Sequence, residues 1–264
     1  MADALSGTSP ATLDDPFAVL AGPLAGTTRL ELTVVESGPL TPHMHRLRLT
    51  APQLAGFGYA PGQDVMLLVD VEGNRPVRRR YTIRALDADS QTITLDVVLH
   101  GDGPGERWVR SAQPGDTIEG IGPRGKVTTA RDADWHLFVG DESALPAIFR
   151  MAESLPSGTP VRVLLEIPEP EDEQELRAEA STHVTWLHRF GGQAGQPGAL
   201  AEATAGLTLP AGRGHAYLLG EAKVVAGLRE VLADRGFAVD QISPKAYWGR
   251  GKANASHGEP AKDA

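Results

Sequence analysis

The rhythm of apolar and polar positions changes near residue 132. Before that point, short apolar or alternating runs follow one another closely: Arg29 to Val35, His45 to Thr50, Asp64 to Val69, Arg79 to Ala85, Thr92 to Leu99 and Thr117 to Gly120. Glycine or proline bounds each run, as at Pro61-Gly62 and Pro114-Gly115-Asp116. Half-buried strands joined by tight turns produce this pattern, and the series predicts a small antiparallel barrel. One stretch interrupts it. Gly101, Gly103 and Gly105 form a loop able to close around an anion, and Glu106 to Ala112 has a helical pattern whose positive end would face that anion.

Beyond the change, strands alternate with helices. Trp135 to Gly140, Val161 to Ile167, Ala216 to Gly220 and Ile242 to Trp248 read as strands. Ala144 to Leu155, Ala199 to Ala205 and Val224 to Arg235, the last closed by Gly236, read as helices. The alternation predicts a parallel α/β sheet with a ligand at the carboxyl ends of its strands. The fold class expected is β + α/β, with an antiparallel barrel over 29–132 and a parallel α/β domain over 133–252. Residues 1–28 are expected to be a flexible lead with a short helical turn near Asp14 to Leu20, and residues 253–264 a disordered tail.

Composition narrows the function. No run approaches the length of a membrane span, and Met1 to Pro10 lacks the basic and apolar regions of a secretory signal, so a cytoplasmic location is expected. The chain has no cysteine, which excludes disulfides, thiolate zinc sites and cysteine-ligated iron-sulfur clusters. His43 and His45 are expected to share a strand face, but no third ligand is spaced to complete a metal site. A formal net charge of -9 argues against nucleic acid as a partner. Pro168 to Ala180, with Glu169, Glu171, Asp172, Glu173, Glu175 and Glu179, reads as a solvated loop running into a helix start.

Against this acidic balance, Arg75, Arg78, Arg79, Arg80 and Arg84 crowd into ten positions. Strand alternation puts Arg79 and Tyr81 on one face and Arg80, Thr82 and Arg84 on the other. A guanidinium fork grips phosphate, an aromatic ring lies on a flat heterocycle, and a hydroxyl reaches a ring nitrogen. Together these describe a site for a flavin nucleotide. An exposed arginine-rich strand paired with the chain's many acids is the competing reading.

Four motifs in order decide between them: Arg79-x-Tyr81-Thr82-x-Arg84, His100-Gly101-x-Gly103-Pro104-Gly105-x-x-Trp108, Gly122-Pro123-Arg124-Gly125, and Gly140-Asp141-Glu142-Ser143-Ala144-Leu145-Pro146-Ala147. Over residues 29 to 252 the chain resembles the siderophore-interacting proteins, FAD-containing ferric-siderophore reductases related to the ferredoxin-NADP reductase superfamily. The resemblance implies an FAD-binding barrel followed by a nicotinamide-binding α/β domain, acting on a ferric siderophore with NADH or NADPH as donor. It implies Arg79 on phosphate, Tyr81 on the isoalloxazine and Thr82 near its reactive nitrogen. Gly105 and Trp108 would lie by the diphosphate, His100 toward the adenine side, and Trp248 close to the flavin, with a core tryptophan as the other reading of Trp248.

The nicotinamide expectation rests on the resemblance, since only Gly140 stands where a dinucleotide glycine fingerprint would be. Gly140 would let the cofactor approach the backbone beside Glu142, Ser143 would cap the following helix, and Glu166 would hold a ribose hydroxyl, favouring NADH. Lys245, Arg250 and Lys252 make the carboxyl end basic, which would attract an anionic complex. Met66 and Gly249 stand where relatives that take catecholates often carry a lysine and an arginine, which points to a less charged hydroxamate complex. No catalytic side chain is expected, because the flavin carries the chemistry. A monomer is expected. The alternatives are a flavin-dependent oxidoreductase with another acceptor, and a non-catalytic siderophore-binding module.

Overall fold

The structure is a computed structural model and describes residues 26–72 and 75–250. Most of the expected flexible lead, the helical turn near Asp14 to Leu20 and the tail at 253–264 lie outside the described residues. Seven strands form one antiparallel sheet: β1 (Thr28–Thr41), β2 (Met44–Thr50), β3 (Asp64–Glu72), β4 (Arg75–Thr82), β5 (Ala85–Asp87), β6 (Thr92–Val98) and β7 (Thr117–Arg124), in the order β4-β3-β7-β1-β2-β6-β5. The sheet curls until its ends approach, where Arg84 N donates to Thr94 O at 2.9 Å. Alternate residues Leu30, Leu32, Leu47, Leu49, Val65, Leu67, Ile93 and Leu95 fill the interior. One helix, α1 (Pro104–Ser111), packs on this core through Val109 and Trp108.

Five parallel strands form the second sheet: β8 (Trp135–Asp141), β9 (Pro160–Ile167), β10 (Ser181–His188), β11 (Gly214–Glu221) and β12 (Ile242–Trp248), in the order β10-β9-β8-β11-β12. Both faces of such a sheet must be covered, and its apolar residues divide accordingly. Phe138, Val163, Leu165 and Tyr217 pack under α2 (Leu145–Glu153). Leu137, Val139, Leu164 and Leu218 pack under α3 (Ala199–Gly206) and α4 (Ala222–Asp234). Chain order reverses direction between β8 and β11, so a crevice opens beyond the carboxyl ends of these two strands.

Three local expectations are corrected. The strand expected over Arg79 to Ala85 is broken at Ile83 and Arg84, whose backbones turn to Gln63 and Thr94. Strand β10 follows the acidic stretch where the sequence suggested a helix start; only Pro170–Asp172 coils, as one 3-10 turn. The acidic stretch is also more than a solvated loop. Asp172 is buried and joins the two sheets, accepting from Thr41 Oγ1 at 2.7 Å and His43 N at 3.0 Å, with His43 Nδ1 2.7 Å from its other oxygen.

The sheets are fastened at further points. Arg84 holds Glu153 of α2 through both terminal nitrogens at 2.6 Å, and Arg150 Nε donates to Tyr59 Oη at 2.8 Å. Met44 and Val127 extend the core of the parallel sheet into the barrel side. Burial works to raise the Asp172 carboxyl, but the bonds from Thr41 and His43 outweigh it and hold the pKa below the usual range. Its stabilisation is therefore present at neutral pH and lost as pH falls through that lowered value. Asp172→Ala should cost about 1.5–3 kcal/mol in urea unfolding at neutral pH, and less in acid. An equal cost at both pH values would show that the carboxylate is not the fastening.

Candidate functional site

The crevice between the two sheets is lined from the barrel side by the end of β4. Alternation along that strand places Arg79 and Tyr81 against α1, so closely that a Cβ on Gly105 would lie 2.6 Å from Tyr81 Oη and 2.9 Å from Arg79 Cγ. Burial raises the Tyr81 pKa, which keeps its phenol neutral. Thr82 faces the other way, 5% exposed, and its Oγ1 is buried without a hydrogen-bond partner. Burying a hydroxyl unpaired is unfavourable unless something binds there. The remaining arginines are structural in part: Arg80 grips Asp64 at 2.8 and 2.6 Å, and Arg84 lies past the end of β4, on Glu153.

The glycine loop differs from expectation. Glu106, the third residue of α1, folds its carboxylate back over the loop, accepting from Gly101 N at 2.7 Å, from Gly103 N at 3.3 Å and from His100 N. The amides expected to enclose an anion are thus taken by the chain's own acid, as in a helix capping box. The His100 ring stacks 6.4 Å from the Trp248 ring, bringing barrel and parallel sheet together. Trp108, half-buried, anchors α1 on the barrel core.

On the opposite wall stand the carboxyl ends of β8 and β11. Gly140 is needed for packing: a Cβ there would lie 2.4 Å from Leu219 O and 3.0 Å from Ala144 Cβ. Ser143 does not cap α2, whose first turn has no side-chain cap; its amide and hydroxyl both donate to Asp141 Oδ1. Asp141 Oδ2 accepts from Trp248 Nε1 at 2.9 Å and from Glu221 N at 3.0 Å. Burial, and then the charge of Glu142, push the Asp141 pKa up to about 6. Glu142 and Glu166, expected beside the nicotinamide cofactor, share Arg189, which reaches Glu142 at 2.6 and 2.8 Å and Glu166 at 3.4 Å.

The carboxyl end divides. Arg250 is exposed, its guanidinium on Gln193 and its amide on Glu221. Lys245 is not part of an exposed basic end: it is buried on β12, its ammonium 3.1 Å from Asp64 Oδ2 and 5.1 Å from the Tyr247 ring centre. His43 precedes β2, so the two histidines share no strand face; His45 lies 2.9 Å from Ser37 Oγ. Among the described residues no three potential ligands cluster to hold a metal, and no helix is long and apolar enough to cross a membrane. Sequence reasoning passed over Asp64, Glu106, Asp141 and Arg189. Glu106 alone carried a local signal, an acid three places after the loop glycine Gly103.

Comparisons with known proteins identify relatives of this chain. The family described as siderophore-interacting protein matches residues 133–251, and the siderophore-interacting FAD-binding domain matches residues 62–127. The ferric vibriobactin reductase ViuB of Vibrio cholerae is 37% identical over 190 residues, covering 70% of this chain and 69% of that protein. The NADPH-dependent ferric-chelate reductase of Escherichia coli is 28% identical over 180 residues, covering 67% and 68%. The crystal structure of a siderophore utilization protein from T. fusca superposes with a TM-score of 0.78 at 32% identity, covering 88% of this chain and 97% of that one.

Proposed function

This chain belongs to the siderophore-interacting protein family, and from that premise we propose that it is an FAD-dependent reductase that uses NADH or NADPH to reduce a ferric siderophore in the cytoplasm and release the iron. The observation that carries the reading is the unpaired, buried hydroxyl of Thr82, set on the same strand as Arg79 and Tyr81. Phosphate, flat ring and polar ring edge would each find their partner among these three residues. The site fits FAD.

Bound FAD supplies hydride acceptance and single-electron delivery. The chain's residues supply position and electrostatics. Arg79 would hold phosphate beside Gly105, Tyr81 would pack on the ring as a neutral phenol, and Thr82 would donate or accept at the ring edge. Trp248, tied to Asp141 and stacked near His100, closes the crevice between the sheets, where it would exclude water from the ring. The nicotinamide would enter at the carboxyl ends of β8 and β11. The barrel over 29–132 would carry FAD and 133–252 the nicotinamide. Iron, the substrate's cargo, leaves because the chelator holds the ferrous ion more weakly.

Exposed Arg250 would attract the chelate. Met66 and Gly249, in place of further cations, favour a less charged hydroxamate complex, and the unit is proposed to act as a monomer. The test is a visible spectrum of the purified protein under nitrogen. Flavin bands should bleach on NADH or NADPH addition and recover on addition of a ferric hydroxamate, as a ferrous-specific dye colours. A protein that remains colourless after incubation with FAD would overturn the reductase reading. A chelate bound without flavin would favour a binding module, and bleached flavin that recovers only with a quinone would identify another acceptor.

A further inference from the structure

Phe190 stands where a phenylalanine is unfavourable on two counts. Its side chain is 70% exposed, and among the described phenylalanines, tyrosines and tryptophans it alone lies open to solvent. Its backbone is left-handed, with φ at 48°, and Gly191 follows at 79°. Gly192 N donates to Arg189 O at 2.9 Å, which closes a tight turn whose two central residues both have positive φ. Turns of that kind take asparagine, aspartate or glycine at the first central place, because a larger side chain strains the backbone there. A single apolar side chain on a surface is ordinary. Strain is an added cost, which glycine, present at the next two positions, would remove. Strain retained at such a position points to function.

The turn follows the carboxyl end of β10 and is firmly held. Arg189 N donates to Ile167 O at 3.0 Å and Phe190 N to Pro168 O at 3.1 Å, so the chain keeps its pairing with the segment that leaves β9. The neighbouring Arg189 guanidinium is fixed by Glu142, next after β8, and by Glu166, near the end of β9. The His188 ring stands 5.5 Å from the Phe190 ring, tilted by 51°, with its Nε2 2.9 Å from Glu173 Oε1. An aromatic surface already fixed in place loses little freedom when a flat ring settles on it.

Ligands of a parallel α/β sheet lie across the carboxyl ends of its strands. Strand β10 is two places from β8, about 10 Å at the usual strand spacing. A dinucleotide entering at β8 and β11 can carry its second ring that far, since two riboses and a diphosphate separate its bases. We propose that Phe190 is the platform on which the adenine of the nicotinamide cofactor stacks. The inference rests on the nicotinamide reading above, and it assigns the adenosine half of the cofactor to the β10 edge of the sheet. A base on an aromatic face is sequence-tolerant and needs no hydrogen bond, which suits a ring that presents little else.

The experiment is isothermal titration calorimetry of FAD-loaded protein with ADP-ribose, which is the cofactor without its nicotinamide and cannot pass electrons. Phe190→Gly should bind it about 5- to 150-fold more weakly than wild type. Phe190→Tyr, which keeps an aromatic face, should bind it as wild type does. Glycine adopts positive φ freely, so Phe190→Gly should melt close to wild type, and its weaker binding is then not a folding defect. In anaerobic rapid mixing, NADH or NADPH should show the same loss of affinity in Phe190→Gly with the limiting rate of flavin bleaching kept. Reduced nicotinamide mononucleotide, which lacks the adenosine, should bleach the flavin equally fast in both proteins. ADP-ribose bound at wild-type strength by folded Phe190→Gly, or not bound by wild type, would overturn the assignment. So would a slower reaction of the variant with the mononucleotide. Wild-type protein that takes up no FAD would instead sink the reductase reading, and calorimetry on that flavin-free protein would still judge Phe190.

Discussion

Arg189→Met should cost about 3–5 kcal/mol of stability at neutral pH, because it leaves two buried carboxylates without their shared cation. The side chains concerned are nearly enclosed: Arg189 is 9% exposed, Glu142 10% and Glu166 7%. Methionine fills similar space without charge, so the loss is electrostatic in origin. For a domain whose total stability is about 5–15 kcal/mol, the effect is large. Its pH dependence identifies the cause. Burial already raises the Glu166 pKa, with Glu142 adding to the rise and Arg189 opposing it. A carboxyl with a raised folded pKa is most favourable to the fold below its unfolded value, and its contribution is lost as pH rises toward the folded value. Removing Arg189 takes away the opposing influence and extends that window upward. Urea unfolding should therefore find a smaller deficit near about pH 5 than near about pH 8. Glu142→Gln in the Arg189→Met background should recover part of the loss. A deficit that is the same at both pH values would mean that packing, not charge, is what Arg189 supplies.

Much of the architecture was legible because it follows from period and punctuation. The strands of the barrel show alternation between glycine or proline turns, and β8, β9, β11 and β12 show short apolar runs between helical stretches. Strand β10 was not visible: Ser181 to His188 mixes histidines and threonines with Val184, Trp186 and Leu187, and it forms the partly exposed edge of its sheet. An edge strand has one neighbour and less apolar surface to bury, so its sequence carries less of the signal. The strand expected through Ala85 failed for a different reason. Ile83 and Arg84 look like its continuation, but their amides bond to Gln63 and Thr94, which turns the chain from β4 into β5. That choice depends on residues distant in sequence.

The site divides along the same line. Arg79, Tyr81 and Thr82 owe their arrangement to strand alternation, which the sequence contains, so their two faces could be read directly. The partners that charged residues take could not. Arg84 with Glu153, Lys245 with Asp64, and Arg189 with Glu142 join positions 69, 181 and 47 residues apart. Local reading sees the acids and bases and assigns them to solvent or ligand. The fold spends several of them on one another, and Glu106 shows the effect within a single turn: its carboxylate occupies the loop that an anion was expected to enter. The proposal for the cofactor therefore rests on the pair beside Gly105 and the hydroxyl of Thr82.

Gly105→Ala should therefore remove FAD more thoroughly than Arg79→Ala does. Deleting Arg79 forfeits one charge-assisted phosphate contact, about 1.5–3 kcal/mol, or roughly 10- to 150-fold in affinity. A methyl on Gly105 would lie 2.6 Å from Tyr81 Oη and 2.9 Å from Arg79 Cγ, so both proposed contacts must shift together. The Tyr81 ring packs against the barrel core, which limits its retreat. The helix itself gains from the substitution, since alanine is the better helix former by about 0.8–1.0 kcal/mol. That gain offsets part of the overpacking cost, about 1–3 kcal/mol, so the flavin-free protein should melt close to wild type. FAD affinity by fluorescence quenching and apo-protein melting, measured on the same preparations, separate the two effects. Loss of flavin with melting preserved is expected from a steric block between α1 and β4. Wild-type FAD affinity in Gly105→Ala would show that Tyr81 and Arg79 can move aside at no cost to binding, and would remove the close approach of α1 from the account of the site.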